Sequence, residues 1–231
     1  MKLWDKGFTI DKQIENFTVG NDREIDIHIA KYDVQASLAH AIMLESIGII
    51  SADELTDLKK GLQELASDIE NGTFVIEASF EDVHSKIEWE LTNKLGEVGK
   101  KIHTARSRND QVLVALQLYY KENLAIINNK TKTLFDTLLN LAETHKKGVL
   151  PGYTHLQVAM PSSFGLWFSA YAELLIDDVY MLNAVAKVVD QNPLGSAAGY
   201  GSSFPIDREL TTKELEFATL KYNVVAAQLS R

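Results

Sequence analysis

Residues 100–147 read KKIHTARSRNDQVLVALQLYYKENLAIINNKTKTLFDTLLNLAETHKK, with neither glycine nor proline between Gly99 and Gly148. An interior proline costs a helix about 3 kcal/mol and a glycine about 1 kcal/mol, so a breaker-free run of this length predicts one long helix. It is expected to start within Arg106–Asp110 and to end near Lys146. At 1.5 Å per residue that is roughly 60 Å, several times the mean helix length. Val112, Leu116, Tyr119, Ile126, Ile127, Leu134, Leu138 and Leu141 are its apolar positions. A second long helix is expected over Pro161–Val189, with Pro161 at its first turn and Phe164, Trp167, Phe168, Tyr171, Leu174, Leu175, Leu182 and Val185 forming a wide apolar arc. Two such helices in one chain need partners along their length. The expected fold is all-α: an N-terminal short-helix domain over 1–105, then the first part of a long-helix bundle over 106–231, completed by other subunits. A monomeric antiparallel helix pair packed on the N-terminal helices is the alternative.

Toward the N-terminus the helices shorten. Asp33–Ile47 is mostly apolar and stops at Gly48. Ser51-Ala-Asp-Glu54 is a capping box, followed by Leu55, Leu58, Leu62, Leu65 and Ile69 as one stripe, with Asn71-Gly72 as its stop. A third helix starts near Ser79 or Glu81, carries Val83, Ile87, Leu91 and Leu95, and ends at Gly96. Composition narrows the class. The 231 residues include no cysteine, which excludes disulfides, a cysteine nucleophile and a zinc–thiolate site. A formal charge of −9 argues against nucleic acid as the main partner. No apolar run approaches the ~20 residues of a membrane span, and Met1–Ile10 lacks the apolar core of a signal peptide. The expectation is a cytoplasmic protein with no membrane partner.

Three connectors carry candidate chemistry. Lys100, Lys101, His103, Arg106 and Arg108 make a basic island in an acidic chain, with Ser107, Asn109 and Gln111 as neutral donors. At a helix start this is a pocket for a small polycarboxylate or phosphate. The plain alternative is a solvated basic loop, but two basic residues in a first turn oppose the helix dipole, which a purely structural start would avoid. Thr154-His155, between the two long helices, places an acid–base group near neutral pH, or a merely structural histidine. His84 and Glu88 share a helix face with Asp82 close by, but no third ligand accompanies them, so no metal site is expected and a hydrogen-bonding pair is the simpler reading. The Gly195, Gly199, Gly201 loop matches neither a P-loop nor a dinucleotide fingerprint. It offers backbone amides to an anion, or is simply a turn. Tyr119-Tyr120 and Trp167-Phe168 read as core or interface aromatics.

Taken in order, Asp82-Val-His84, Lys101-Ile-His-Thr-Ala-Arg-Ser-Arg-Asn-Asp-Gln-Val112, Pro151-Gly-Tyr-Thr-His-Leu-Gln157, and Pro193-Leu-Gly-Ser-Ala-Ala-Gly199 with Asp207-Arg-Glu209 resemble the argininosuccinate lyase family, over essentially the whole chain but only about the first half of a family member. That family belongs to the fumarase/aspartase superfamily and is related to delta-crystallin. The resemblance implies cofactor-free, all-α homotetramers with active sites shared between subunits, and cleavage of argininosuccinate to arginine and fumarate in arginine biosynthesis. By motif, His155 is catalytic, Asn109, Thr154, Arg108 and Ser107 bind substrate, and Asp82, His84 and Gln157 support them. The family's mobile serine loop is not found in these residues, so the chain by itself is expected to be inactive. The family's N-terminal substrate-binding serine also lacks a counterpart before Asp22-Arg23, where Thr18 or a backbone amide would have to serve. The same pattern fits two other readings, a crystallin-like non-catalytic scaffold and a sister lyase. An unrelated anion-binding module explains the basic island but not Thr154-His155.

Overall fold

A computed structural model describes residues 11–229; the reading of Met1–Ile10 lies outside them. The chain forms two compact units. One runs to Tyr119 and resumes at Asp190; the other is Tyr120–Val189.

The first unit is built on helices that the breakers delimit. α1 (Lys12–Val19) is capped by Asp11, whose carboxylate accepts from Gln13 N. α2 is Asp22–Ile25. α3 (Ala30–Ser46) stops before Gly48, which takes φ +74°. α4 (Ala52–Glu70) begins at the expected capping box: Glu54 N donates to Ser51 Oγ (3.2 Å) and Ser51 N to Glu54 Oε2 (2.9 Å). α5 is Val83–Leu95 and α6 is Glu97–Lys100. The leucine stripe of α4 (Leu58, Leu62, Leu65) and Val83, Ile87 and Leu91 of α5 are buried together with Met43 and Leu44 of α3. Fully burying each such side chain contributes roughly 1.5–3 kcal/mol. α3 is enclosed on most of its circumference, and Asp33, Ser37 and His40 go inside with its apolar residues. Its other side packs Tyr32, Ala36 and Ala39 against Val114, Ala115 and Leu118, with Leu194, Leu215 and Phe217 from the returning chain.

The long helix α7 runs Arg108–His145, as the breaker-free segment predicts. The segment after it differs from expectation. Instead of an irregular connector and a helix begun by Pro161, residues form an antiparallel hairpin, β1 (Val149–Thr154) and β2 (Gln157–Ser163), and α8 is Phe164–Val189. Pro161 sits in β2 opposite Pro151. Ser163 starts α8 instead, its hydroxyl accepting from Leu166 N (3.1 Å). Gly165 permits the close approach of the two helices there, since a Cβ would fall 2.9 Å from Lys146 Cα. The first unit is completed by β3 (Gln191–Asn192), α9 (Arg208–Glu214), β4 (Thr219–Leu220, parallel to β3) and α10 (Val224–Leu229). Among the described residues no helix is long and apolar enough to cross a membrane.

Candidate functional site

The start of α7 is where most of the candidate residues converge. Ser107 caps it: Asn109 N donates to Ser107 Oγ (3.3 Å) while Ser107 N donates to Asp110 Oδ1 (2.9 Å). This is a reciprocal cap close to a capping box, with the hydroxyl on the second amide of the helix and Asp110 in the place of Glu. Arg108, Asp110 and Gln111 then engage three separate parts of the unit. Arg108 reaches α5, with Nη1 on Glu88 Oε1 (3.1 Å) and Nη2 on Glu88 Oε2 (3.3 Å) and Ser85 Oγ (3.4 Å). Asp110 Oδ2 accepts from the amides of Gly195 and Ala197, 2.9 Å each. Gln111 Nε2 donates to both oxygens of Asp33 on α3 (3.0 and 3.2 Å), and its Oε1 accepts from Arg108 Nη1 (2.6 Å). Asn109 is the exception. Its carboxamide has no hydrogen-bond partner among the described residues, and the Ser107 hydroxyl keeps its proton free to donate.

The electrostatics around this turn are those of paired charge, not of an open basic pocket. Lys100 pairs with Glu97, Lys101 with Glu54, and His103 Nδ1 donates to Glu88 (2.9 Å). Arg106 is enclosed, with Nη1 donating to Ser37 Oγ (2.9 Å) and Nη2 3.9 Å from Glu88. Burial alone would raise the Glu88 carboxyl, but the His103 hydrogen bond and the charges of Arg108, His103 and Arg106 hold it down to about 2. Asp33 is likewise pulled against its burial to about 2 by His84, Arg106 and Gln111. Asp110 goes the other way: burial pushes it up despite the amides of Ser107, Ala197 and Gly195. The glycine-rich loop does present amides to an anion, and that anion is the chain's own Asp110. Gly195 suits this geometry, with φ +86° and Arg208 Cγ only 2.7 Å from where a Cβ would stand.

Asp82 and His84 lie behind the same turn. Asp82 caps α5 through Ser85 N (2.6 Å) and stands 3.6 Å from Arg108 Nε. His84 is buried with Nδ1 3.2 Å from Asp33 Oδ1, off the hydrogen-bonding direction. His84 therefore faces Asp33 while Glu88 faces His103 and Arg108, and no cluster of three metal-binding side chains occurs among the described residues. Thr18, the offered replacement for a substrate-binding serine, donates its hydroxyl to Ile14 O within α1 (3.0 Å).

Thr154, His155 and Gln157 belong to the second unit. Thr154 pairs with Gln157 across a two-residue turn whose central residues, His155 and Leu156, take φ +53° and +63°. Such turns favour Asn-Gly, and two side chains held at positive φ cost of order 1–3 kcal/mol each. Both are exposed, Leu156 at 98%. The structure thus gathers Ser107, Arg108, Asn109, Asp82 and His84 in one unit, and carries Thr154, His155 and Gln157 on the hairpin of the other. Sequence reasoning missed Asp33, Asp110 and the hub role of Glu88. A carboxylate in the first turn of the mostly apolar α3 was the available signal for Asp33.

A profile of the lyase family matches residues 7–231. The chain belongs to that family. Among curated relatives, it is 55% identical over 230 residues to the argininosuccinate lyase of Phocaeicola vulgatus, covering all of this chain and 52% of that protein. The chain spans about half the length of the curated relatives it matches. Among solved structures it resembles an EDDS lyase in complex with formate (TM-score 0.77, 23% identity, 98% of this chain and 44% of that one). It also resembles a fumarate lyase:delta crystallin from Brucella melitensis (TM-score 0.70, 17% identity, 96% and 54%). These likenesses establish the all-α lyase fold.

Proposed function

We propose that the protein carrying this chain is an argininosuccinate lyase that cleaves argininosuccinate to arginine and fumarate by acid–base β-elimination. The observation that carries the reaction is the 55% identity to a curated argininosuccinate lyase across the whole chain. The geometry supports the division of labour. In the elimination a proton leaves the carbon beside a carboxylate, and the aci-carboxylate that develops needs fixed donors. Asn109, with its carboxamide unengaged on a turn held from three sides, supplies one, and the Ser107 hydroxyl a second. Thr154 binds substrate from the hairpin. His155 belongs to the acid–base pair and gives a proton to the departing guanidino nitrogen. Asp82, His84 and Gln157 support these groups, and Arg108 stands beside Asn109.

The same reading proposes a homotetramer in the cytoplasm. Exposed apolar side chains along α8, such as Leu174, Tyr180 and Met181, support the assembly. The test is fumarate release from argininosuccinate by the full-length protein. Asn109→Ala is expected to lower kcat/KM by about 10²–10³, the usual loss for one donor to a developing oxyanion. His155→Asn is expected to lower kcat by about 10²–10⁴. Release of fumarate from adenylosuccinate but not from argininosuccinate would assign the protein to a sister reaction.

A further inference from the structure

Successive residues of an α-helix point about 100° apart, so the first four side chains of α7 look in four directions. Three are anchored: Arg108 to α5, Asp110 to the Gly195–Ala197 amides, Gln111 to α3. The direction of Asn109 is therefore set by what holds its neighbours. The anchors differ in kind. Asp110 meets backbone amides, and Gln111 meets the buried carboxylate of Asp33. Arg108 depends on Glu88, a single carboxylate that also takes His103 Nδ1 (2.9 Å) and lies 3.9 Å from Arg106 Nη2. Arg106 itself is enclosed, with Nε and Nη2 unpartnered by hydrogen bonds. Glu88 thus faces the guanidinium groups of Arg106 and Arg108 and the imidazole of His103, residues that flank Asn109 and Ser107 in sequence. The guanidinium of Arg108 has both terminal nitrogens engaged internally, with bonds to Glu88, Gln111 and Ser85.

We propose that Glu88 is a positioning residue for the lyase reaction: it acts through Arg108 to hold the first turn of α7 so that Asn109 meets the substrate, and Arg108 serves as this tether instead of as a substrate ligand. The inference rests on the proposed argininosuccinate lyase activity. Without the carboxylate, Arg108 loses both hydrogen bonds to a charged partner and is left with neutral partners and Asp82 at 3.6 Å. Breaking one side of such a charge-assisted pair releases the other. The substrate-contacting amide would then have to be ordered on binding, which weakens substrate binding more than the chemical step.

The experiment is steady-state kinetics on argininosuccinate with the full-length protein and its Glu88→Gln, Glu88→Asp, Arg108→Gln and Glu88→Gln/Arg108→Gln variants. Expected results are a rise in KM of about tenfold or more for Glu88→Gln with kcat changed less than about threefold, substantial recovery of KM in Glu88→Asp relative to Glu88→Gln, and a double variant no worse than Arg108→Gln alone. A KM for Glu88→Gln within about twofold of wild type overturns the proposal, as do losses that multiply in the double variant. Should Glu88→Gln fail to fold, Glu88→Asp carries the test: a KM raised about threefold or more supports the tether, and an unchanged KM overturns it. Wild-type protein that does not cleave argininosuccinate at all overturns the activity and the inference together, whereas an active wild type with an indifferent Glu88→Gln overturns the inference alone.

Discussion

Asp33, Glu88 and His40 show how single ionisable groups tie this unit to pH. The two carboxyls titrate in the folded protein near 2, below their ordinary values. Their stabilisation is therefore complete above about pH 4.5 and is lost as pH falls toward 2, on the order of 2–3 kcal/mol for each. His40 is buried with Nε2–H donating to Thr104 O (2.9 Å), and burial together with the Arg106 charge pulls it down to about 3. It stays neutral when folded but protonates when unfolded, so the unfolded chain binds the extra proton between pH 6.5 and 3 and stability declines with acid across that window. Urea unfolding from pH 7 to pH 3 is expected to show this decline beginning near pH 6, ahead of the carboxylates. His40→Gln, which can still donate to Thr104 O, should flatten it by up to about 1.4 kcal/mol per pH unit; parallel pH profiles for the two proteins would refute the assignment. At this scale motif and spacing singled out Ser107, Asn109 and Asp82 as candidates, and the structure places them around the start of α7. Asp33 was not, because a carboxylate in an apolar helix has no local partner in sequence: its donor is Gln111, and His84 and Arg106 stand near it from elsewhere in the chain.

Among the elements, the helices were readable wherever a stripe, a cap and a breaker agreed, as in α4 with its Ser51–Glu54 box and Gly72 stop. The hairpin was not. Pro151 and Pro161 face each other in register, so two residues that read as strand breakers and helix starters occupy the strands themselves. The turn also lacks Asn-Gly, the usual signature of its backbone. The strain at that turn is testable. Leu156 is almost wholly exposed at φ +63°, so Leu156→Gly removes a steric cost without removing packing. It is expected to raise stability by about 0.5–1 kcal/mol in thermal unfolding. A lowered Tm would refute the strain assigned to this turn. Asp110 marks the opposite case, an element joined to distant chain by one carboxylate that periodicity could not reveal.

For the whole molecule the informative surface is α8, whose mean character is apolar although Ala172 is its one buried residue. Monomeric proteins rarely expose contiguous apolar patches beyond a few hundred Å². Leu174→Glu with Met181→Glu, both at exposed positions, is expected to shift the proposed tetramer of the full-length protein toward smaller species in sedimentation velocity while leaving helicity intact. An unchanged sedimentation coefficient would place the subunit contacts elsewhere.

The Asp110 bonds to Gly195 and Ala197 span 85 and 87 residues of sequence. A ribosome adding about 5–20 residues per second needs roughly 4–17 s to cover that distance. During that interval the turn at the start of α7 has its cap and helix but not the amides that will close around its buried carboxylate. The turn is thus begun early in synthesis and finished late, which makes Asp110 a checkpoint in the order of assembly: a nascent chain halted before Gly195 would carry Asn109 on an α7 start still missing one of its three anchors.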